Sequence, residues 1–286
     1  MVERKGEEMK EYFEERFDEE RALYGSDNIR VIKCSFDGPA DGESAMKESK
    51  NIFVSNSYFN LRYPFWHDEN VKIIDCEMTD KCRAALWYSN NIDIENTKMY
   101  GIKALRESGN IQIKKCDIVS PEFGWFVHDF VIKDSRIDSE YCMMKSNRLK
   151  LENIKMSGKY SFQYIEDCVF ENCDLDTKDA FWHAKNVYVK DCKVKGEYLA
   201  WYCENVTFEN CTIIGTQPLC YCKNLKLINC KMIDADLSFE KSEVEADLIG
   251  EIISIKNPKS GYIKVDGVDD IIMDDEYAKA EIIINS

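Results

Sequence analysis

Apolar and polar positions alternate in short runs along this chain, and the runs recur at a regular interval. Each run opens on a residue, here termed the anchor, that is followed by apolar residues one and three positions later. The anchors are Asn28, Asn51, Asn70, Asn91, Asn110, Asp129, Arg148, Asp167, Asn186, Asn205, Asn224 and Glu243. From Asn110 onward every step is 19 residues, and counting back from Asn28 places the first repeat near Met9. Such two-residue alternation of β-branched residues is typical of a strand.

Two further sets of positions complete the repeat. Five residues after most anchors stands an Asn or Asp, which tolerates the left-handed backbone of a corner and can bond its neighbours in a ladder. A second short strand is predicted eight residues after the anchor, and a third runs through segments such as RAALWYSN (83–90) and DAFWHAKN (179–186). The pattern predicts an all-β fold, a single-stranded right-handed parallel β-helix of about twelve coils. A leucine-rich repeat has a similar length, but its characteristic leucines are missing.

The repeat extends over most of the chain and predicts a single domain over residues 1–286. Residues 1–27 would form an N-terminal cap and the first coil, 28–256 the regular coils, and 257–286 a C-terminal β cap. Caps are expected because an open coil exposes unpaired strand edges. A short amphipathic helix over Glu3–Glu20 is the alternative for the N-terminal end.

Charge and cysteine content narrow the class of protein. The net charge is −15, so no nucleic-acid partner is expected, because such binding needs a basic surface. No apolar run approaches the roughly eighteen residues of a membrane span, and the charged N-terminal segment does not resemble a signal peptide, so no membrane partner is expected. Thirteen cysteines without an export signal predict reduced thiols and a cytoplasmic location.

Seven cysteines share one position of the repeat, six residues after the anchor. Four of these fall on successive coils: Cys173, Cys192, Cys211 and Cys230. Coils about 4.8 Å apart would allow one or two disulfides, whereas ligands strung along a line cannot surround a zinc ion. The sequence favours a column of small buried thiols, and no metal site or cofactor is predicted.

A set of segments carries a resemblance to a known family. The segments are ERALYGSDN (20–28), DGESAMKESKN (41–51), RYPFWHDENV (62–71), DAFWHAKNV (179–187), GEYLAWYCENV (196–206) and NPKSG (257–261). In order and spacing they resemble a bacterial family of pectin-lyase-like β-helix proteins that is catalogued as a domain of unknown function. The resemblance implies a right-handed parallel β-helix and a cytoplasmic bacterial protein, without an established activity. Polygalacturonases and pectate lyases are similar in architecture only, since the chain has no Gly-His-Gly and no clear calcium-binding acidic cluster.

The third predicted strand holds the candidate chemistry. The position three residues before each anchor is rich in His, Tyr and charged residues, so it is expected to face solvent, with the Trp-rich position before it facing the core. The position five before the anchor would share the outward side, which gives an exposed aromatic and aliphatic flank. The candidate ligand-binding residues are Arg62, Arg83, Tyr88, Tyr164, Tyr202 and Tyr221. The candidate catalytic residues are His67, Glu107 and His183, and the alternative for each histidine is a solvated side chain.

Two functions fit such a flank. Aromatic rings with interspersed polar groups suit sugar rings, so the protein is expected to bind or modify a carbohydrate, as a relative of polysaccharide hydrolases or lyases without their known motifs. The alternative is a non-catalytic scaffold or oligomerisation module that uses the same flank as a protein interface. The expected partners are therefore a saccharide ligand or further copies of the chain, and the sequence leaves open whether the protein is an enzyme.

Overall fold

The computed structural model describes residues 9–38 and 43–285, and these residues form β-strands and turns without an α-helix. Nothing helical in this part of the chain is long and apolar enough to cross a bilayer. The first strands are β1 (Lys10–Phe13), β2 (Arg16–Phe17), β3 (Asp27–Ile32), β4 (Ser35–Phe36), β5 (Lys50–Ser55), β6 (Tyr58–Phe59), β7 (Glu69–Ile74), β8 (Glu77–Met78), β9 (Leu86–Trp87), β10 (Asn90–Glu95), β11 (Lys98–Met99), β12 (Leu105–Arg106), β13 (Gly109–Lys114) and β14 (Asp117–Val119). The strands that follow are β15 (His128–Lys133), β16 (Arg136–Glu140), β17 (Asn147–Glu152), β18 (Lys155–Lys159), β19 (Glu166–Glu171), β20 (Asp174–Lys178), β21 (Lys185–Lys190), β22 (Lys193–Lys195), β23 (Glu204–Glu209), β24 (Thr212–Ile214), β25 (Lys223–Ile233), β26 (Glu243–Ile249), β27 (Glu251–Lys256), β28 (Ser260–Val265), β29 (Gly267–Ile272) and β30 (Glu281–Ile284).

The register of the strands follows the sequence repeat. In the parallel ladder of β3, β5 and β7, Ile29 lies beside Ile52 and Ile52 beside Val71, so positions one residue after each anchor stack. The same holds where Val187 of β21 lies beside Val206 of β23. The predicted right-handed parallel β-helix is confirmed.

The described residues form about 14 turns, slightly more than the twelve predicted. At the N-terminal end β1 pairs with β3 with Lys10 beside Ile29, so the repeat begins where counting back placed it. At the other end β26 pairs with β28, with Glu243 beside Ser260, and β28 pairs with β30. These turns were missed because the 17-residue step from Glu243 to Ser260 breaks the 19-residue count.

The alternative of a helix over Glu3–Glu20 is wrong for the part that the structure describes. Residues 10–13 and 16–17 form β1 and β2, whose partners are β3 and β4. Residues 3–8 lie outside the described residues.

The chain divides into two compact units, Met1–Phe130 and Val131–Ser286, each with its own core. In the first unit Phe36 stacks on Phe59 with ring centroids 4.9 Å apart. In the second, the Phe181 ring lies 5.3 Å from that of Phe162 and 5.0 Å from that of Phe170. Both clusters are fully buried, so apolar burial is the main stabilising term in each unit.

Asn residues at the anchor and five residues after it lie at corners of the coil, and their amides form ladders. In the first unit the Asn70 amide donates to Asn51 at 2.9 Å and the Asn91 amide to Asn70 at 3.1 Å. In the second unit the corner five residues after the anchor shows the same bond, from Asn172 to Asn153 at 2.7 Å. All five residues have φ between 52° and 58°, which Asn tolerates better than other residues with a Cβ.

The cysteine column consists of buried free thiols, as predicted. All thirteen cysteines are free and buried. Burial raises the pKa of the Cys76 thiol to about 12, so the reactive thiolate is scarce at neutral pH. The column is therefore part of the core.

Candidate functional site

The third side of each coil is not the pleated strand that the sequence predicted. Apart from the two-residue strands β9 and β12, the described residues here form mainly turns and bends. Left-handed φ occurs three residues before the anchor in most coils, as at His183 (56°), and five residues before it in the coils from Gly124 to Leu219, as at Phe181 (62°). When left-handed residues alternate with residues of ordinary φ, side chains no longer alternate between two faces as in a strand. The burial of its side chains therefore shows whether each column faces the core or the solvent.

Only the column three residues before the anchor faces solvent as expected. Its exposed members include His67, Tyr88, Phe126, Tyr164 and Tyr202. The column five before the anchor, expected beside it, is instead fully buried; it comprises Phe65, Leu86, Leu105, Met143, Phe162, Phe181 and Leu219. The tryptophans between the two columns are half-buried and not part of the core; they are Trp66, Trp87, Trp125, Trp182 and Trp201. The exposed flank is thus narrower than predicted.

In the first unit this column opens into a cleft of about 440 Å³, lined by Tyr88, Glu107, Phe126 and His128. The first three occupy the same position of three successive coils. Glu107 stands between Tyr88 and Phe126, so the two aromatic rings are not neighbours in the column. The result is a small open cleft with an aromatic side chain on either side of a carboxylate.

His128 is held in the cleft by its neighbours. Its Nδ1 lies 2.9 Å from Asp129 Oδ2, so a neutral ring that donates this hydrogen bond carries its lone pair on Nε2. The ring lies directly over Gly109, where a Cβ would come within 2.2 Å of the imidazole Cε1. Glycine at position 109 is therefore what makes room for His128.

Glu107 is bonded to two neighbours. Its Oε1 accepts a hydrogen bond from Arg106 Nε at 3.2 Å. Tyr88 shares a side-chain hydrogen bond with the Glu107 carboxylate, and this bond, with a smaller contribution from burial, raises the pKa of the Tyr88 hydroxyl. Tyr88 thus stays protonated and donates to Glu107 over the physiological pH range.

Arg106 ties the cleft to the tryptophan column behind it. Its guanidinium carbon lies 5.0 Å from the ring centroids of both Trp87 and Trp125, which is cation–π range. Its Nη1 lies 3.6 Å from Glu122 Oε2, which is also 3.4 Å from Lys103 Nζ. Arg106 is therefore fixed between two rings and two carboxylates, with its side chain only 17% exposed.

Asp68 is a buried carboxyl one residue after His67. Its Oδ1 accepts a hydrogen bond from the Ser49 amide at 2.9 Å, but Oδ2 has no hydrogen-bond partner among the described residues. Burial raises the pKa of Asp68 to about 9, so the side chain is neutral at physiological pH. In the next coil the equivalent residue is Ser89, whose hydroxyl donates to the Phe65 carbonyl at 2.7 Å.

In the second unit the same column forms a closed stack of rings. The centroid separations are 4.8 Å for Tyr164 and His183, 5.0 Å for His183 and Tyr202, and 4.8 Å for Tyr202 and Tyr221. The planes of successive rings differ by 12° at most. Burial and the neighbouring Glu240 carboxylate raise the pKa of Tyr221 to about 12. The faces of the inner rings are covered by their neighbours, and mainly the edges reach solvent.

The chain can be compared with known proteins by sequence and by fold. Residues 10–285 match the model of a family described as "Protein of unknown function (DUF3737)". The chain belongs to this family. No curated protein matches it. The solved structures that it resembles include PfbA, a surface adhesin of Streptococcus pneumoniae, at 10% identity over 86% of this chain and 81% of that one, with a TM-score of 0.41. The A-module of the Azotobacter vinelandii mannuronan C-5 epimerase AlgE4 shares 11% identity over 96% and 87% of the two chains, with a TM-score of 0.29.

In this DUF3737 member the residues predicted from the sequence do not form one site. Tyr88 and Glu107 meet in the cleft, whereas His67 Nδ1 lies 3.4 Å from Glu48 Oε1 and packs edge-on against the Tyr88 ring at 5.0 Å. His67 and Glu107 thus lie on either side of Tyr88. Arg62 pairs with Glu43 at 3.2 Å, and Arg83 is exposed. Tyr164, His183, Tyr202 and Tyr221 form the stack in the second unit.

Sequence reasoning missed His128 and Phe126 as lining residues of the cleft, and Asp129 as the partner of the His128 ring. His128 lies one residue before its anchor, in a position where the preceding coil has Gly109. A large ring above a glycine at one repeat position is a signal that could have been found. The candidate residues from the sequence all came from the positions three and eight before the anchor, so His128 was not among them.

Within the described residues, no three His, Cys, Asp or Glu side chains come together as metal ligands would. The cleft offers four protein groups for binding: the Tyr88 phenol, the Phe126 ring, the Glu107 carboxylate and the His128 imidazole.

Proposed function

We propose that this chain binds a saccharide in the cleft lined by Tyr88, Glu107, Phe126 and His128. The observation that supports this is the juxtaposition of two aromatic side chains with a carboxylate and an imidazole in one cleft of about 440 Å³. That volume lies within the range of small-molecule sites, which combine apolar walls with a few oriented polar groups. Aromatic walls suit the C–H faces of a sugar ring, and Glu107 and His128 suit its hydroxyl groups.

Modification of the bound sugar is the second half of the proposal. With Nδ1 bonded to Asp129, the other ring nitrogen of His128 can accept a proton, and Glu107 is a second group able to exchange one. Such a pair is what a hydrolase or lyase needs at minimum.

Binding is tested by a glycan-array screen followed by calorimetric titration of the best ligand. Phe126→Ala and Glu107→Gln are expected to weaken binding about ten-fold or more, because each removes a wall or a hydrogen-bond partner. Gly109→Ala should do the same through displacement of His128. Phe13→Ala is the matched control, since Phe13 is an exposed phenylalanine of β1 outside the cleft. Failure of every glycan to bind, or equal losses in the control, would contradict the proposal.

A second function, self-association, is favoured by the stack of the second unit. Tyr164 and Tyr202 are 48% and 46% exposed, yet their faces are largely occupied by neighbouring rings. Exposed aromatic edges in a row suit a protein interface better than the face-on stacking of a sugar. Sedimentation analysis of Tyr164→Ser/Tyr202→Ser tests this: the double variant should lower the oligomeric state, and an unchanged distribution would exclude the stack as an interface.

We also propose a cytoplasmic location, which the free thiols support. All thirteen cysteines are unpaired, as expected for a reducing compartment. Fractionation of the native cells should recover the protein with the cytoplasm, and recovery from the cell surface would contradict the proposal.

A further inference from the structure

The charges around the cleft determine which class of saccharide it can bind. This inference rests on the proposed function. Glu107 lines the cleft, Asp129 contacts the His128 imidazole, and Glu122 lies behind Arg106. Two cations, Arg106 and Lys103, contact this group. Apart from the His128 imidazole, this group consists of three carboxylates and two cations.

Neither cation is available to a ligand. Arg106 donates to Glu107, contacts Glu122 and is sandwiched by the Trp87 and Trp125 rings. Lys103 is paired with the same Glu122 at 3.4 Å, and only 22% of its side chain is exposed. An acidic sugar would have to take a cation from these partners, which leaves a carboxylate unpaired in a partly buried site at considerable cost.

The protein as a whole reinforces this local effect. Its net charge of −15 repels anionic polymers at long range, and the repulsion falls as salt is added. An uncharged sugar is not repelled by this net charge, and a sugar with an ammonium group is attracted by it. The half-buried carboxylate of Glu107, which lies between the Tyr88 and Phe126 side chains and accepts one hydrogen bond from Arg106, can also accept one from an ammonium group.

We infer that the cleft takes neutral or amino sugars and rejects uronic acids. The selection resides in the pairing of Arg106 with Glu107 and Glu122, which leaves no free guanidinium to receive a sugar carboxylate. The aromatic walls would accept all three classes equally.

The test compares matched oligosaccharides that differ in one substituent. Tetramers of glucose, galactose and mannose are each used in three forms: neutral, 2-amino and uronic acid. Titrations are run with the full chain at about pH 6, where the sugar amine is charged and the uronate ionised. For at least one sugar, the neutral and amino forms should bind and the uronate should bind about ten-fold more weakly. The difference should shrink in about 0.5 M NaCl.

Two variants separate the site from the overall charge. Glu107→Gln should narrow the gap between uronate and neutral forms, because it removes the carboxylate nearest the ligand. Glu77→Gln makes the same charge change at an exposed residue that pairs with Lys98 outside the cleft, and it should leave the gap unchanged. If none of the nine tetramers binds, the proposed function fails and this inference with it. If a uronate binds as tightly as its neutral form, or both variants behave alike, only the inference is overturned.

Discussion

The two units use the same position of the repeat in opposite ways. In residues 131–286 the position three before the anchor holds Tyr164, His183, Tyr202 and Tyr221, whose rings stack at 4.8–5.0 Å. In residues 1–130 Glu107 stands between Tyr88 and Phe126, and a cleft opens in place of a stack. The coil fixes where a side chain emerges, but a single non-aromatic member decides whether the column is closed or open.

The contrast extends to the residues behind this column. In the second unit Trp182 and Trp201 donate their indole N–H to the carbonyls of Tyr198 and Gln217, both at 2.7 Å. In the first unit the indole nitrogens of Trp66 and Trp87 are buried without a hydrogen-bond partner in the described residues, as is Asp68 Oδ2. Trp66 and Trp87 of the first unit therefore lack the indole hydrogen bonds that Trp182 and Trp201 of the second unit make.

The largest expected effect tests the facing of the columns. Phe181→Ala removes a fully buried ring that packs on Phe162 and Phe170, so it should lower the free energy of unfolding by about 3–5 kcal/mol. Phe126→Ala removes a ring of the exposed column, 39% accessible, and should cost less than about 1.5 kcal/mol. Urea unfolding measures both. Equal losses would mean that the two columns are not distinguished by burial.

Those two phenylalanines also mark the limit of what the sequence predicts. The strands of the first two sides, the corners and the ladders follow from the 19-residue spacing and the Asn and Asp positions, because identical positions of the repeat must stack. The facing of Phe181 does not, because it depends on left-handed φ values at alternate residues that carry no glycine signature. The cleft is harder to predict from the sequence than the facing of Phe181. It depends on contacts between successive coils, with Gly109 beneath His128 and Glu107 between two aromatic side chains.

The next effect concerns Asp68, the carboxyl that stands where neighbouring coils have serine. Its folded pKa of about 9 lies above the roughly 3.9 of an unfolded aspartate. Below about pH 4 Asp68 is protonated in both the folded and the unfolded state, so its burial carries no ionisation penalty. As the pH rises towards 9, Asp68 ionises in the unfolded chain but not in the folded one, so the free energy of unfolding falls. Asp68→Ser should therefore stabilise the protein by about 1–3 kcal/mol at pH 8 and by much less near pH 4.

Urea unfolding of wild type and Asp68→Ser between pH 4 and 9 provides the measurement. Ser89→Ala is a useful companion, because it removes a satisfied hydroxyl in the same column and should destabilise without a comparable pH dependence. A stability difference between wild type and Asp68→Ser that does not grow with pH would show that Asp68 is ionised in the folded state.

A smaller effect comes from closing the cleft in the manner of the second unit. Glu107→Tyr places a third ring between Tyr88 and Phe126, so the column should stack and the cleft should be lost. Saccharide binding is expected to fall about ten-fold or more, which is at least about 1.4 kcal/mol, with little change in stability. Glu48→Tyr is the control, because it makes the same substitution in the same column outside the cleft. Undiminished binding by Glu107→Tyr would contradict the assignment of the cleft as the site.

The smallest effect separates the tryptophans of the two units. Trp182→Phe removes the donor to the Tyr198 carbonyl and leaves that acceptor without its partner, whereas Trp87→Phe removes a nitrogen that has no bond to lose. Both lose similar ring area, so Trp182→Phe should be the more destabilising by about 1 kcal/mol. Chemical unfolding of the two variants measures this difference. Equal losses of unfolding free energy would imply that an ordered water hydrogen-bonds to the Trp87 indole in solution. The two units would then differ in whether water or a protein carbonyl accepts this bond.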